Sequence, residues 1–267
     1  FCQNPPMLRA ASLLAALFTA SCAMTPSVPE SVRSEMAPSG VLRAGINLGN
    51  IVIAQKDPAG GAPRGVGPEL ARELARRLGA RIEYVIYQDG GSTADGVKEG
   101  AWDITFLAVD PKRENEIAFS APYVNIEGTY MVWADSPLRR LEDFDRKGVR
   151  IAAAKNAAYD LWLQRNLKNA ERVLTTTSAE AIELFRERHL EAVAGVRNPL
   201  MAAAARHGGL RVIPESYVVI GQAAGIPRNR EASARYLRDF IEEMKASGFV
   251  EKALKDSGAE ATVAPAR

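Results

Sequence analysis

Val41-Leu42-Arg43-Ala44-Gly45-Ile46 reads as a strand, and the segments that follow it decide the fold. After a Gly/Pro-rich loop, Pro68-Glu69 opens a helix with Leu70, Leu74 and Leu78 on one face and Gly79 just past its end. Proline in a first turn and glycine beyond a last one are the usual start and stop signals. Ile82-Glu83-Tyr84-Val85-Ile86 is a second strand. Ile104-Thr105-Phe106-Leu107-Ala108-Val109 is a third, almost wholly apolar, as a parallel strand covered on both faces should be. Residues 129–134 supply a further extended stretch.

A second series begins with the strand Val149-Arg150-Ile151-Ala152-Ala153 and a helix over 159–167 that buries Leu161, Trp162 and Leu167. Thr177 with Glu180 three residues later is a capping box for a helix reaching about Arg188. Residues 192–194 then read as strand, 200–206 as helix, 210–213 as strand and 218–222 as extended chain. A long amphipathic helix covers about 231–246 and a shorter one 249–255. Alternating β and α segments give α/β architecture, with parallel sheets and helices on both faces. Two series of about 90 residues each make two lobes. Ligands of such sheets sit beyond the carboxyl ends of the strands, so the natural pocket is a cleft between the lobes.

Composition removes several functional classes. With 34 basic against 32 acidic residues, the net charge of +2 offers no basic surplus for nucleic acid. Two cysteines and two histidines leave little room for a metal site, and His189 and His207 are expected at the surface. There is no G-x-S-x-G, no P-loop and no GxGxxG after a strand, and no cofactor is expected. Met7-Leu8-Arg9, the apolar run over 10–20 and Ser21-Cys22-Ala23 describe a secretory signal peptide. Thr19-Ala20-Ser21-Cys22 resembles a bacterial lipobox, making Cys22 a lipidation candidate; ordinary cleavage after Ala23 is the alternative. Residues 24–39, rich in Pro, Ser and Glu, read as a flexible tether.

Several landmarks together resemble the bacterial extracellular solute-binding proteins of family 3, the amino-acid-type receptors of ABC importers. They are Gly40-Val41-Leu42-Arg43-Ala44-Gly45-Ile46, Gly67-Pro68-Glu69-Leu70-Ala71, Gly100-Ala101-Trp102-Asp103-Ile104, Asp110-Pro111-Lys112-Arg113, Phe119-Ser120-Ala121-Pro122-Tyr123 and Leu141-Glu142-Asp143-Phe144. The resemblance runs from about Gly40 to Gly258. It implies a type II periplasmic-binding-protein fold, each lobe a mostly parallel sheet flanked by helices, with hinge crossings near 130–133 and 219–223. Residues 1–39 would be signal peptide and tether, 40–130 plus 223–258 lobe one, 131–222 lobe two, and 259–267 a disordered tail.

The resemblance also implies a ligand site. Arg113 matches the arginine that clamps the substrate carboxylate, and a guanidinium fork suits that bidentate task; a surface arginine is the alternative. Asp110 lies in the same turn. Ala108 stands where the family often has a hydroxyl, and Asn156-Ala157-Ala158 replaces the Gly-Thr-Thr-like turn opening a lobe-two helix. Backbone N–H groups at that helix start can hold an anion without hydroxyls. The acid that meets an α-ammonium would fall near Val196, where the sequence reads Gly195-Val196-Arg197. Glu127 is the substitute acid, or else a solvated turn residue. Arg197 either joins Arg113 on a dicarboxylate or pairs with a nearby glutamate. Tyr123 flanks the cleft, with plain packing as its alternative.

These features imply an exported, monomeric receptor that closes on a small carboxylate, amino acid or organic acid, and delivers it to an ABC permease. Only a lipid anchor would attach it to the membrane. A dehydratase of the cyclohexadienyl type, with Glu127 as general acid, is the enzymatic alternative. A sensor input domain is a third.

Overall fold

The computed structural model describes residues 28–266; the expected signal peptide and Cys22 lie outside the described residues. The chain opens with α1 (Glu30–Met36), β1 (Val41–Asn47), α2 (Val66–Leu78), β2 (Arg81–Tyr87), α3 (Gly90–Asp95), β3 (Ile104–Ala108), β4 (Ile117–Phe119) and the long β5 (Val124–Trp133). The second series is β6 (Arg150–Ala154), α4 (Ala158–Asn166), β7 (Glu171–Thr175), α5 (Ser178–Glu187), β8 (Ala192–Val196), α6 (Arg197–His207) and β9 (Leu210–Val212). The chain returns through the long β10 (Val218–Pro227) into α7 (Glu231–Ala246), α8 (Phe249–Ser257) and β11 (Thr262–Val263). The fold is two-lobed and mixed α/β.

Strand order is β2-β1-β3-β10-β5-β8-β6-β7. In lobe one β1 runs parallel to β2 and β3, and in lobe two β6 runs parallel to β7 and β8. β5 and β10 are antiparallel partners that carry the chain between the lobes. β5 pairs with β10 up to Gly128 and with β8 from Gly128 onward, while β10 passes from β5 to β3 at Gln222. The apolar run 104–108 is buried at every position, because β3 has neighbours on both sides and helices on both faces.

Local chemistry explains several of the sequence landmarks. Gly79 closes α2 in the left-handed region (φ 65°), the conformation that selects glycine. Thr177 and Glu180 form the expected capping box at the start of α5. Asp103, 1% exposed, accepts from Arg43 Nε at 2.9 Å and from Arg230 Nη2 at 3.0 Å, tying β1, the start of β3 and the N-cap residue of α7 into one ion cluster around a buried carboxylate. Trp102 is fully buried, its Nε1 donating to Thr93 O at 2.8 Å, and its ring packs closely against Gly45.

Two segments differ from the sequence reading. Residues 28–39, expected within a flexible tether, include α1, whose Val32 and Met36 are buried. These apolar residues lie one turn apart on one face, a spacing masked by the surrounding Pro, Ser and Glu. Glu35 accepts from Ser233 N and Oγ at 2.9 and 2.6 Å, and Arg33 Nη1 donates to Leu78 O at 3.1 Å. The bonds at Ser233 N and Leu78 O satisfy backbone groups that helix ends leave open. Residues 259–267, expected as a disordered tail, are likewise held where they are described. β11 pairs with Val124 and Asn125, Ala264 is buried, and Lys245 Nζ reaches Pro265 O at 2.9 Å. The β8 ladder begins only at Gly128, so β5 offers an open edge at 124–125 that β11 closes. No helix among the described residues is long and apolar enough to cross a membrane.

A Cβ on Gly45 would lie 2.8 Å from Trp102 Cδ1. Gly45→Ala is therefore expected to destabilise the protein by about 1–3 kcal/mol, measured by urea denaturation. A loss below ~0.5 kcal/mol would mean that the Trp102 ring yields without strain.

Candidate functional site

A cavity of about 450 Å³ opens where the carboxyl ends of strands from both lobes face each other. Lobe one contributes Asn47 and Leu48 after β1, Gln88 and Asp89 after β2, and Ala108 and Arg113 at and after β3. Lobe two contributes Ala154 and Lys155 after β6, Thr176 and Thr177 after β7, and Gly195 and Val196 at the end of β8. Ile126, Ile220 and Gln222 of the crossing strands also line it. The volume suits a small organic ligand.

Arg113 is held by a turn that Asp110 organises. Asp110 Oδ1 accepts from Lys112 N at 2.9 Å, and its carbonyl accepts from Arg113 N at 2.9 Å. The Arg113 side chain then runs between the lobes, with the residue only 6% exposed. Nη1 donates to Ala108 O at 3.0 Å in lobe one, and Nη2 donates to Asn156 O at 3.1 Å in lobe two. Among the described residues no carboxylate lies within ion-pair distance of it. Burial brings its pKa down to about 10, opposed by the charges of Asp110 and Asp89, so it stays cationic at neutral pH. The cavity thus presents a desolvated guanidinium with most of its five N–H donors unmatched by protein.

Ala108, Ala157 and Ala158 line the cavity with Arg113. The last two mark the start of α4, where first-turn N–H groups have no intrahelical acceptor. Asn156 borders a smaller hollow on the other side of Arg113. Its backbone is left-handed (φ 59°), and its N–H donates to Asp160 Oδ2 at 2.9 Å, which aims its carbonyl at Arg113.

Four candidates lie elsewhere. Asp110 is off the cavity; its Oδ2 accepts from Arg165 Nη1 of α4 at 2.8 Å, an ion pair joining the lobes. Glu127 and Arg197 pair with each other outside the cavity, Arg197 Nε donating to Glu127 Oε2 at 2.5 Å. Arg197 also donates to the carbonyls of Ile213 and Pro214 and to Ser216 Oγ. The Ser216 hydroxyl and the Arg197 guanidinium hold the Glu127 carboxyl below its ordinary pKa. The reason is the strand period: Glu127 points to the opposite face of β5 from Ile126, which lines the cavity. Tyr123 is fully buried, its ring edge-on to Phe106, and does not reach the cavity.

Other lining residues escaped the sequence reading. Gln222 is 2% exposed, lines the cavity and has no side-chain partner among the described residues. Its signal was available, as the lone long polar side chain in the otherwise apolar 218–227 run. His207, expected at the surface, lines the cavity with its Nε2 3.8 Å from Glu183 Oε1. Helical spacing places it on the same side of α6 as Leu200 and Ala203, which sequence alone could not orient.

A buried guanidinium at the carboxyl ends of β strands, between two lobes joined by two crossings, agrees with the family comparison. The model of the bacterial extracellular solute-binding proteins, family 3, matches residues 44–257. The chain belongs to this family. Among solved structures, this solute-binding protein resembles a mutant of ArgBP from T. maritima (19% identity, 86% of this chain and 100% of that one, TM-score 0.74). It also resembles the cysteine-binding protein from Campylobacter jejuni (19% identity, 84% and 92% covered, TM-score 0.74). A third is the ancestral amino acid-binding protein AncCDT-1, a precursor of cyclohexadienyl dehydratase (21% identity, 84% and 98% covered, TM-score 0.71). At these identities the likeness speaks for the fold. None of the curated proteins matches this chain.

The Asp110–Arg165 pair gives the solute-binding protein a contact that exists only with the lobes together. Arg165 is half exposed, so the pair contributes about 0.5–1 kcal/mol to the closed form. Arg165→Ala is expected to raise the radius of gyration of the ligand-free protein in small-angle scattering. An unchanged profile would mean that the pair does not influence closure.

Proposed function

We propose that this protein is an exported receptor that closes its lobes on a small carboxylate and hands it to an ABC importer. Lobe one comprises about 40–130 plus 223–258, and lobe two about 131–222, hinged where β5 and β10 cross. Export follows from the leader-like residues 7–23, with Cys22 as the point of lipidation if the lipobox is used. Family membership supports the receptor role, and the amino-acid-binding neighbours support a ligand bearing a carboxylate.

The observation that carries the reading is the state of Arg113. A guanidinium buried between lobes and facing a cavity meets two carbonyl oxygens and no carboxylate among the described residues, so an anion is needed to compensate its desolvation. A ligand carboxylate supplies that anion and is gripped bidentately. Because Arg113 also reaches Asn156 O across the cleft, ligand capture and lobe closure share one residue. The dehydratase alternative loses its named acid. Glu127 lies outside the cavity with a lowered pKa, whereas a general acid needs a raised one.

Arg113→Ala is expected to weaken carboxylate binding about thirtyfold or more, roughly 2 kcal/mol, in calorimetry with the ligand identified by native mass spectrometry. Equal affinities for the variant and the native protein would reject Arg113 as the clamp.

A further inference from the structure

The cavity has two features that a plain carboxylate clamp does not require. The first is Gln222. It sits opposite Ala108 in the antiparallel β3–β10 ladder, so both side chains stand on the same face a few ångströms apart. Arg113, anchored to Ala108 O, lines the same cavity, so the Gln222 amide and the guanidinium face one enclosed space. That amide is almost wholly buried and has no partner among the described residues, yet it lines the cavity. The second feature is an apolar extension into lobe two, between α5 and α6. Ala179 and Ile182 of α5 and Pro199, Leu200 and Ala203 of α6 supply its apolar walls, with the polar Arg206 and His207 at the far end, a run of about two helical turns or ~11 Å.

Acids are scarce there. Asp89 and Glu183 are the acidic residues lining the cavity among those described. Asp89 caps α3, accepting from Gly91 N and Ser92 N at 2.8 Å each and from Ser92 Oγ at 2.6 Å. Glu183 holds Arg186 at 2.7 Å at the distal end. The position near Val196 that would carry an ammonium partner is apolar wall. An ammonium beside the bound carboxylate would lie next to a cation and an amide, without a free anion to compensate its desolvation.

Resting on the carboxylate-receptor reading, we infer that the ligand is a 2-oxo or 2-hydroxy acid with an apolar chain. Arg113 reads its carboxylate, Gln222 hydrogen-bonds the neutral oxygen at the neighbouring carbon, and the chain lies between α5 and α6. Gln222 is the specificity-determining residue: its amide offers both a donor and an acceptor, matching a carbonyl or a hydroxyl.

Calorimetry of the ligand-stripped protein with four six-carbon probes of identical chain tests this: 2-oxohexanoate, 2-hydroxyhexanoate, hexanoate and 2-aminohexanoate. A fifth probe, 2-oxopropanoate, lacks the chain. The oxo and hydroxy acids should each bind at least tenfold more tightly than 2-aminohexanoate, and 2-oxohexanoate at least tenfold more tightly than 2-oxopropanoate. Gln222→Met should remove most of the preference for 2-oxohexanoate over hexanoate while leaving hexanoate nearly unchanged. Equal or tighter binding of 2-aminohexanoate overturns the inference; if that binding disappears in Arg113→Ala, the carboxylate receptor still stands. Failure of all five probes to bind also overturns the inference, and the native ligand then decides the receptor reading separately.

Discussion

A guanidinium out of water needs its charge met, and Arg113 is buried between the lobes with two main-chain carbonyls as its protein acceptors. Those carbonyls compensate only part of the desolvation. They belong to different lobes, so the same side chain senses both walls of the cleft. Its position is fixed from behind: Asp110 builds the turn, and β3, buried throughout, anchors the start of that turn. What remains unmatched is directed at an open cavity of ligand size.

The crossing strands make such a site movable. β5 and β10 are each shared between the lobes, so bending need only occur near Gly128 and Gln222, where their partners change. On the proposed reading, the hinge and the ligand chemistry therefore meet at Gln222. Away from the crossings, each lobe is secured by its own interactions: the Asp103–Arg43–Arg230 cluster in lobe one, and the Asp160–Arg172 pair between α4 and β7 in lobe two. On the receptor reading, a rigid lobe on each side of a thin connection would convert a single ligand contact into a domain motion.

Much of the architecture was legible in the sequence because it depends on local signals. Apolar runs, the Pro68 and Gly79 punctuation and the Thr177–Glu180 capping box act over a few residues. Arg113 was singled out through the family resemblance of its turn, and the structure places it at the cavity. Glu127, Arg197 and Asp110 were harder, since their roles depend on which face of a strand or helix they occupy and on partners up to 89 residues away. Arg197 pairs with a glutamate, the blander of its two readings, whereas Glu127 sits in strand β5 rather than in a solvated turn. The terminal segments were misread because composition outweighed spacing: Val32 and Met36 are few but correctly placed, and β11 is short but meets an open edge. Gln222 and His207 required the tertiary fold, because lining a cavity is a property of neighbours rather than of local sequence.

The most direct measurement is a crystal structure of the protein carrying the ligand it retains through purification. The account predicts a carboxylate between the lobes, with both oxygens about 3 Å from the Arg113 guanidinium nitrogens. A ligand held elsewhere, or one that leaves Arg113 bonded only to the carbonyls of Ala108 and Asn156, would contradict it.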